Sequence, residues 1–381
     1  MKKLNIMIVD DSALFRKFLS DAVERTGSAV VQSVAANGNE CLNMLKQNTP
    51  DVVLLDINMP GINGIDVLRS IKESYEDVKV IMISSADNSD NVLTVTALEI
   101  GALDFISKPK GSDWQRNMIS ITSYLKVLFN YIIINKYYNI SSNETAASIG
   151  KAKVERERPA ASKQLNIEKE PEAAPRTPNV ESQTSRLKID LVLIASSTGG
   201  PKALYDVCSK LPADLGVPVL IVQHMPAEFT KIFANSLNNI SKLEVTEAQD
   251  GDIPEANHIY IAKGGRHMTV TKSSSNTMMI KLEDTPPVNG VKPAADVLFK
   301  SLADGFSNLN MLAVVLTGMG KDGTNGLREL KKKANCYVIT QSERTCAVYG
   351  MPKSAYEANL SDEVLDIQDV ASGIIRRVTN K

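Results

Sequence analysis

The chain has 381 residues, of which 43% are hydrophobic and 23% charged, and its formal net charge is -1. This length predicts two or three domains with cores of ordinary size. A near-neutral charge, with no run of Lys and Arg that forms a basic stripe, argues against nucleic acid as the main partner. The four cysteines are scattered without a CxxC pair, which argues against a structural zinc site and favours a reducing compartment.

Two apolar stretches resemble export or membrane signals at first sight. The first follows two N-terminal lysines, but it ends at Asp10 and Asp11, too early for a signal peptide. The second, from Met118 to Ile134, is interrupted by Lys126 and several polar residues. That pattern predicts an amphipathic helix and not a membrane span. We therefore expect a cytoplasmic protein without membrane insertion.

The first third of the chain alternates between two kinds of pattern. Helical patterns such as SALFRKFLSDAVERTG separate five short apolar runs: LNIMIVD, AVVQSVAA, VVLLDI, VKVIMISS and DFISKP. Strands that alternate with helices form parallel sheets with helices on both faces. The sequence therefore predicts an α/β domain with a five-stranded parallel sheet, over residues 1–127.

The composition then changes before the alternation resumes. From about Asn139 to Arg186 the chain is rich in Ser, Pro, Ala and charged residues and almost lacks aromatic residues. Such a segment buries too little apolar surface to fold alone, so residues 128–186 are predicted to be a linker. From Leu187 onward, new apolar runs alternate with helical patterns. They predict a second doubly wound α/β domain over residues 187–381.

Polar residues stand at the strand ends of the first domain. Asp10 and Asp11 follow its first strand, Asp56 its third, Ser84 its fourth and Lys108 its fifth. Taken singly, each is more often a helix cap or a solvated charge. Together they would meet at one crevice, where three carboxylates call for a hard cation such as Mg²⁺. A lysine and a hydroxyl beside an aspartate suit a covalently transferred phosphoryl group.

In this order the residues resemble the receiver domain of two-component response regulators, over about the first 125 residues. The resemblance implies a flavodoxin-like fold and a phospho-acceptor at Asp56. It implies Mg²⁺ ligands from the side chains of Asp10, Asp11 and Asp56 and the backbone carbonyl of Asn58. It also implies a set of phosphoryl contacts and switch residues, namely Ser84, Lys108 and Phe105.

The second domain has its own polar strand ends, in IASSTGG, QHMP and TGMGKDGTNG. The glycine pair does not fit a phosphate-binding loop, because neither the Walker spacing nor G-x-G-x-x-G is present. A nucleophilic serine needs a base and an orienting acid. His224 ends a neighbouring strand, and Asp322 lies in a glycine-rich loop after AVVLTG. Their order after the serine excludes the α/β-hydrolase arrangement.

The histidine count narrows the choice of base. There are three histidines in the chain, and a lone histidine is more often structural than catalytic. His258 precedes a strand, whereas His267 in GGRHM is a rival for the role. His224 is favoured because it shares a strand-end rim with the serines and with Asp322.

At these residues the chain closely resembles the chemotaxis protein-glutamate methylesterase family, the CheB type. The resemblance rests on ASSTGG, QHMP, TGMGKDG, AVYGMP and PAADVLF, and on a receiver, a linker and this domain in that order. It implies Ser197 as the nucleophile, with Ser196 as the alternative to be tested. It implies His224 as the general base and Asp322 as its orienting acid. Backbone N–H groups of Thr198 and Met319 would form the oxyanion hole.

The resemblance also implies a function. The enzyme would hydrolyse glutamyl methyl esters on methyl-accepting chemoreceptors, release methanol and deamidate receptor glutamines, without a cofactor for the esterase. A chemotaxis histidine kinase would supply the phosphoryl group, and the unphosphorylated receiver would cover the Ser197 rim. Two alternatives remain at this stage: a phospho-gated binding protein whose hydrolase site is inactive, and an amidase unrelated to adaptation. A transcription factor is disfavoured by the lack of basic charge.

Overall fold

The N-terminal domain is built from five parallel strands with helices between them. The computed structural model describes residues 2–85, 88–109, 113–137, 188–273 and 277–379. The elements of this domain are β1 (Leu4–Val9), α1 (Ala13–Arg25), β2 (Ala29–Ala35), α2 (Gly38–Gln47), β3 (Val52–Asp56), α3 (Gly64–Ser74), β4 (Lys79–Ser84), α4 (Asn88–Ile100), β5 (Asp104–Ser107) and α5 (Trp114–Tyr137). The strand order β2-β1-β3-β4-β5 confirms the flavodoxin-like prediction.

Local sequence explains where these elements begin and end. All residues of β3 are buried, as expected for a central parallel strand covered on both faces. Ser12, Asn37 and Asn63 cap α1, α2 and α3, each accepting a backbone N–H three residues later. These caps satisfy donors that a helix start leaves unpaired and place each helix directly after a strand-end loop.

Helix α5 contains the Met118–Ile134 segment that was predicted to be an amphipathic helix, and it crosses the expected domain boundary. It continues past residue 127, where the domain boundary was expected, and ends at Tyr137. Its buried side chains recur three or four residues apart, at Met118, Ile121, Leu125, Leu128 and Ile132, which is the spacing of a helix with one face on a core. The rest of the expected linker, residues 138–186, lies outside the described residues.

One described helix satisfies the length and composition of a membrane span. It is the segment Trp114–Ile134 within α5, and 39% of its apolar 18-residue window is buried inside the structure. The core helices of soluble proteins meet the same length and composition criteria.

The C-terminal domain has a seven-stranded parallel sheet and a separate hairpin. Its strands are β6 (Leu191–Ser196), β7 (Val219–Gln223), β8 (Glu244–Glu247), β9 (His258–Ile261), β10 (His267–Lys272), β11 (Met278–Glu283), β12 (Asn310–Val315), β13 (Asn335–Gln341) and β14 (Glu363–Leu365). Its helices are α6 (Gly200–Cys208), α7 (Ala227–Ile240), α8 (Ala295–Gly305), α9 (Thr324–Lys333), α10 (Met351–Glu357) and α11 (Ile367–Thr379).

The strand order of this sheet, β14-β13-β12-β6-β7-β9-β8, confirms a doubly wound α/β domain. The chain leaves β6 toward β7 on one side and later returns to β12 on the other. The crevice beyond the carboxyl ends of β12, β6 and β7 therefore lies where the winding direction reverses, which is the usual ligand position in such sheets. Both IASSTGG and QHMP end at this crevice.

The sequence patterns did not indicate β8, β14 or the antiparallel β10–β11 hairpin. These strands have three to six residues. Because they mix polar and apolar residues and are partly exposed, their hydrophobic periodicity is weak. The hairpin packs on α8 and places the loop that leads from β11 to α8 beside the strand-end crevice.

Candidate functional site

An acidic cluster lies at the carboxyl edge of the N-terminal sheet. Carboxylate oxygens of Asp10, Asp11 and Asp56 lie within 4.8 Å of one another. Lys108 Nζ, directly after β5, lies 2.9 Å from Asp56 Oδ2 and 2.9 Å from Asp10 Oδ2. The structure therefore brings together four of the residues that the sequence placed here.

Burial dominates the electrostatics of this cluster. It raises the pKa of Asp56 to about 6, against the opposing hydrogen bond from Lys108 and with a further upward contribution from Asp10. Burial acts to lower the pKa of Lys108, but its hydrogen bonds to Asp10 and Asp56 outweigh this and raise it. Asp56 Oδ1 is buried without a hydrogen-bond partner among the described residues. An unpartnered oxygen beside two further carboxylates suits a hard divalent cation such as Mg²⁺.

The other residues expected at this edge surround the cluster. Ser84 is buried, and its Oγ accepts a hydrogen bond from Thr94 Oγ1 at 2.7 Å. Asn58 lies in the loop after β3, two residues beyond Asp56, and its side chain donates to Asp90 Oδ1 at 2.7 Å. This donation uses Nδ2 and leaves the backbone carbonyl of Asn58 unaffected, so its role as a cation ligand stays a prediction.

A second polar cluster lies at the carboxyl edge of the C-terminal sheet. Ser197 follows β6, His224 follows β7, and Asp322 lies in the loop between β12 and α9. His224 Nε2 and Asp322 Oδ2 are 2.8 Å apart. The base and acid expected from the sequence are thus hydrogen-bonded, although they are separated by 98 positions in the chain.

Asp322 is held by several donors besides His224. Its carboxylate accepts hydrogen bonds from the N–H groups of Ala295 and Asp296 at the start of α8, at 2.6 and 3.2 Å. It also accepts one from Asn289 Nδ2 at 2.9 Å. Burial acts to raise the pKa of Asp322, but His224, Ala295 and Asn289 together outweigh it and hold the pKa below its usual range. The carboxylate is therefore kept ionised and oriented toward the imidazole.

The two neighbouring serines have different surroundings. Ser196 is buried, and its Oγ donates to Gln223 Oε1 at 2.6 Å. Ser197 is half-buried, and its Oγ has no hydrogen bond among the described contacts. Ser197 thus carries the free hydroxyl at the edge, whereas Ser196 faces the interior.

Gln223, which the sequence did not single out, links the two strand ends. Its Nε2 donates to the carbonyls of Ser197 and His224, each at 3.0 Å. A further bond runs from His224 N to Ser196 O at 3.1 Å. The only signal for Gln223 in the sequence was its place beside His224 in QHMP.

Two backbone N–H groups were expected to form an oxyanion hole beside Ser197. Neither Thr198 N–H nor Met319 N–H has a hydrogen-bond partner among the described residues. Gly199, next in the chain, has φ +72°, and a Cβ there would overlap the Cβ of Ala347. The glycine therefore permits both the sharp turn after Ser197 and the close approach of the AVYGMP loop.

The two other histidines are occupied elsewhere. His267 is buried, and its ring nitrogens bond Pro286 O at 3.0 Å and Ala294 N at 3.2 Å. His258 begins β9 and bonds Thr246 Oγ1 at 2.8 Å. Neither contacts Ser197 or Asp322, so the described contacts favour His224 over its rivals.

The N-terminal domain touches this second site directly, within one compact unit. Thr198 Oγ1 donates to Asp104 Oδ2 at 2.6 Å, and Gly199 N donates to Leu103 O at 3.2 Å. The ring of Phe105 lies 4.5 Å from that of Phe229 on α7, measured between centroids. Three consecutive residues at the start of β5 therefore contact the C-terminal domain, and two of them bond the turn after Ser197.

Both halves of the chain match known families. Residues 192–374 match the family described as CheB methylesterase, and residues 6–119 match the family described as response regulator receiver domain.

Full-length relatives cover nearly the whole chain. A protein-glutamate methylesterase/protein-glutamine glutaminase of Clostridium acetobutylicum is 39% identical over 379 residues, 99% of both chains. One of the same description from Bacillus subtilis is 38% identical over 376 residues, 97% of both. The crystal structure of the Thermotoga maritima CheB methylesterase catalytic domain is 37% identical, covers 50% of this chain and 99% of its own, and has a TM-score of 0.47.

Proposed function

This chain belongs to the CheB methylesterase family, and we propose that Ser197, His224 and Asp322 carry out its esterase reaction. The substrates are glutamyl methyl esters on chemoreceptors, and the same site deamidates receptor glutamines. The observation that carries the proposal is the 2.8 Å hydrogen bond between His224 Nε2 and Asp322 Oδ2, with the free hydroxyl of Ser197 on the adjoining strand end.

The reaction begins with attack of Ser197 Oγ on the ester carbonyl, as its proton passes to His224. Because Nε2 faces Asp322, Nδ1 is the ring nitrogen left to accept this proton. The carbon–methoxy bond then breaks, and His224 returns the proton so that methanol leaves. Water repeats the sequence on the acyl-serine and yields a glutamate carboxylate and free Ser197. With glutamine, the carbon–nitrogen bond breaks and ammonia leaves.

The oxyanion of each tetrahedral intermediate would accept hydrogen bonds from Thr198 N–H and Met319 N–H. Neither donor has a partner in the part of the chain that the structure describes, and they lie on the loops after β6 and β12. Because they are backbone groups, their positions are set before the reaction, so no reorganisation is needed as charge develops. Removing one such donor in a serine hydrolase costs about 100- to 1,000-fold in rate.

Phosphorylation at Asp56 controls this activity. The carboxylates of Asp10, Asp11 and Asp56 and the carbonyl of Asn58 would hold Mg²⁺, which offsets the charge of the phosphoryl oxygens and of the carboxylates. Lys108 and Ser84 would then bond the phosphoryl oxygens. A chemotaxis histidine kinase is the expected phosphodonor. The enzyme would encounter this kinase and its chemoreceptor substrates in the cytoplasm.

The unphosphorylated receiver restrains the esterase by covering the Ser197 rim. Its contacts with Thr198 and Gly199 occupy the turn that carries the nucleophile and one oxyanion donor. Phosphorylation would repack Ser84 and Phe105, and Phe105 lies against Phe229. A change in the position of the Phe105 ring would therefore alter the contact between the two domains.

Methanol release from methylated receptor tests the proposal. Wild type, Ser197→Ala, Ser196→Ala and Asp56→Asn are compared, each with and without a small phosphodonor and Mg²⁺. Ser197→Ala is expected to lose at least about 1,000-fold in kcat, whereas Ser196→Ala, which loses one internal hydrogen bond, stays within about tenfold. Asp56→Asn should keep the basal rate and lose stimulation.

The opposite results have clear meanings. Methanol release that survives in Ser197→Ala would refute the triad assignment and make Ser196 the next candidate. Stimulation that survives in Asp56→Asn would refute the phosphorylation site. A segment from Leu187 onward that is no more active than the unphosphorylated full chain would refute the covering model. Ammonia release from receptor glutamines, measured in parallel, separates deamidation from ester hydrolysis.

A further inference from the structure

Asn289 bridges two buried carboxylates beside the proposed triad. It lies in the loop between β11 and α8, and its Nδ2 donates to Asp322 Oδ1 at 2.9 Å and to Asp296 Oδ2 at 2.8 Å. An amide NH₂ has two hydrogens, so each carboxylate receives one of them. Asp322 is 2% exposed and Asp296 5% exposed, whereas Asn289 itself is exposed. Its side chain therefore reaches from the surface over the acid of the triad.

Asn289 lies in a tight two-residue turn. Val288 and Val291 form a two-bond bridge, at 3.1 and 3.0 Å, around Asn289 and Gly290. Both central residues have left-handed backbone, with φ +55° and +79°. Asn-Gly is the typical pair for such a tight turn, since both residues tolerate positive φ. The turn thus needs an Asn, Asp or Gly at this position, but only Asn also supplies two hydrogen-bond donors.

Asp322 needs these donors because another acid lies next to it. Asp296 stands on α8, and its other oxygen accepts a bond from Gly326 N at 2.7 Å. Among the described residues, the titratable groups that bond Asp322 or neighbour it include His224 after β7, Asp296 on α8 and the exposed Lys321 beside it in the chain. Two buried carboxylates that share a neighbourhood repel unless donors lie between them. Asn289 is the side chain that donates to both.

We propose that Asn289 is a positioning residue for the esterase, which holds Asp322 so that one carboxylate oxygen faces His224 while the other is restrained. The proposal rests on the proposed triad. Asp322 Oδ2 bonds His224, and Oδ1 bonds Asn289. Rotation of the carboxylate about its axis would break both bonds at once. Asn289 therefore sets the orientation of the imidazole through Asp322 without touching substrate.

Two substitutions distinguish the role of Asn289 as a hydrogen-bond donor from its role in the turn. Asn289→Gly keeps the left-handed backbone and removes the amide. Asn289→Asp keeps the shape and replaces the donor with a third carboxylate. If Asn289 served only the turn, both variants would keep full activity. The donor role predicts a loss of about 10-fold in kcat for Asn289→Gly and about 100-fold for Asn289→Asp, since small misplacements of catalytic groups have costs of this size.

Asn359 provides the matched control. It is also exposed with φ +56°, and it follows α10 with no described side-chain bond. Asn359→Gly and Asn359→Asp should leave kcat within twofold. The assay uses the full chain with phosphodonor and Mg²⁺ and follows methanol release. KM is expected to stay within about twofold in all four variants, because Asn289 acts on the imidazole and not on substrate binding.

A spectroscopic measurement keeps the test independent of turnover. The Nε2 proton of His224, hydrogen-bonded to a carboxylate, gives a strongly downfield NMR resonance, assigned by its loss in His224→Gln. This resonance should broaden or disappear in both Asn289 variants and persist in both Asn359 variants. An unchanged resonance together with kcat within twofold of wild type in Asn289→Gly and Asn289→Asp would overturn the proposal.

Failure of the triad and failure of this inference are distinguishable. If Ser197→Ala remained active, the proposed nucleophile would be wrong, yet the His224 resonance would still report whether Asn289 orients Asp322. If Ser197→Ala is inactive and the Asn289 variants behave as wild type in both measurements, the triad stands and the positioning role is rejected. Denaturant unfolding of each variant shows whether a loss of rate reflects a loss of fold.

Discussion

Thr198 donates a hydrogen bond through Oγ1 to Asp104 Oδ2 at 2.6 Å, which ties the residue after Ser197 to strand β5 of the receiver. The neighbouring Gly199 N donates to Leu103 O. The receiver therefore bonds the turn that carries the proposed oxyanion donor Thr198, and these two bonds support the proposed restraint. Because Asp104 precedes Phe105 on β5, the same strand carries the bond and the aromatic residue expected to respond to phosphorylation.

Removal of the Asp104 side chain should release part of this restraint. Asp104→Ala deletes one hydrogen bond across the domain contact, worth about 1 kcal/mol, which is roughly a fivefold shift toward the undocked receiver. We expect methanol release without phosphodonor to rise by about that factor, and the phosphodonor-stimulated rate to stay near wild type. Asp104→Asn, which still accepts from Thr198, should stay near the wild-type basal rate at low pH, where Asp104 is protonated. An unchanged basal rate in Asp104→Ala would show that this bond does not restrain the enzyme.

The restraint should weaken as pH rises. Burial raises the pKa of Asp104, and the opposing bonds from Thr198 and Phe105 N–H do not cancel this effect. If undocking returns the carboxyl to water, its pKa falls toward the ordinary aspartate value of 3.8. The protonated side chain then favours docking, and this contribution is fully present below 3.8 and is lost as pH rises through the raised value.

A ratio of basal rates isolates this effect from the pH dependence of the esterase itself. Asp104→Asn cannot titrate, so the basal rate of wild type divided by that of Asp104→Asn should rise with pH. A ratio that stays flat, or falls, as pH rises would contradict the assigned role of Asp104.

Gln223 should matter to both stability and rate. Gln223→Glu keeps the shape but loses the Nε2 donor, so the carbonyls of Ser197 and His224 lose their bonds. Each unsatisfied buried group costs about 1–3 kcal/mol. We expect a lower free energy of unfolding and a kcat reduced by about 10-fold or more. The space is tight, since a Cβ at Gly200 would overlap Gln223 Oε1.

Two comparisons make the Gln223 result interpretable. Gln249→Glu changes an exposed glutamine that bonds Glu247 O. It should alter neither the free energy of unfolding nor kcat. Ser196→Ala removes the bond to Gln223 Oε1 alone and should have a smaller effect than Gln223→Glu. Equal rates for Gln223→Glu and wild type would mean that the strand ends hold Ser197 and His224 without this amide.

The strand-end positions of the proposed site residues were predictable from the sequence. Asp56 and His224 stand at the ends of apolar runs, and parallel strands in doubly wound sheets bring their carboxyl ends to one edge. The alternation of strand and helix patterns therefore sufficed to predict the acidic cluster at one edge and a second group at the other sheet, within which His224 bonds Asp322. The end of α5 was less predictable, because a helix with one apolar face can extend beyond its domain without a change in pattern.

The sequence by itself determined the two α/β domains, the strand ends and the residue types at them, because these follow from local periodicity and composition. The tertiary structure alone decided that Ser196 faces Gln223, that His267 is occupied by backbone groups, and that Asp104 meets Thr198. It also brought Asn289 to Asp322. Those contacts join positions far apart in the chain through single side chains, and no local pattern records which distant group a side chain will meet.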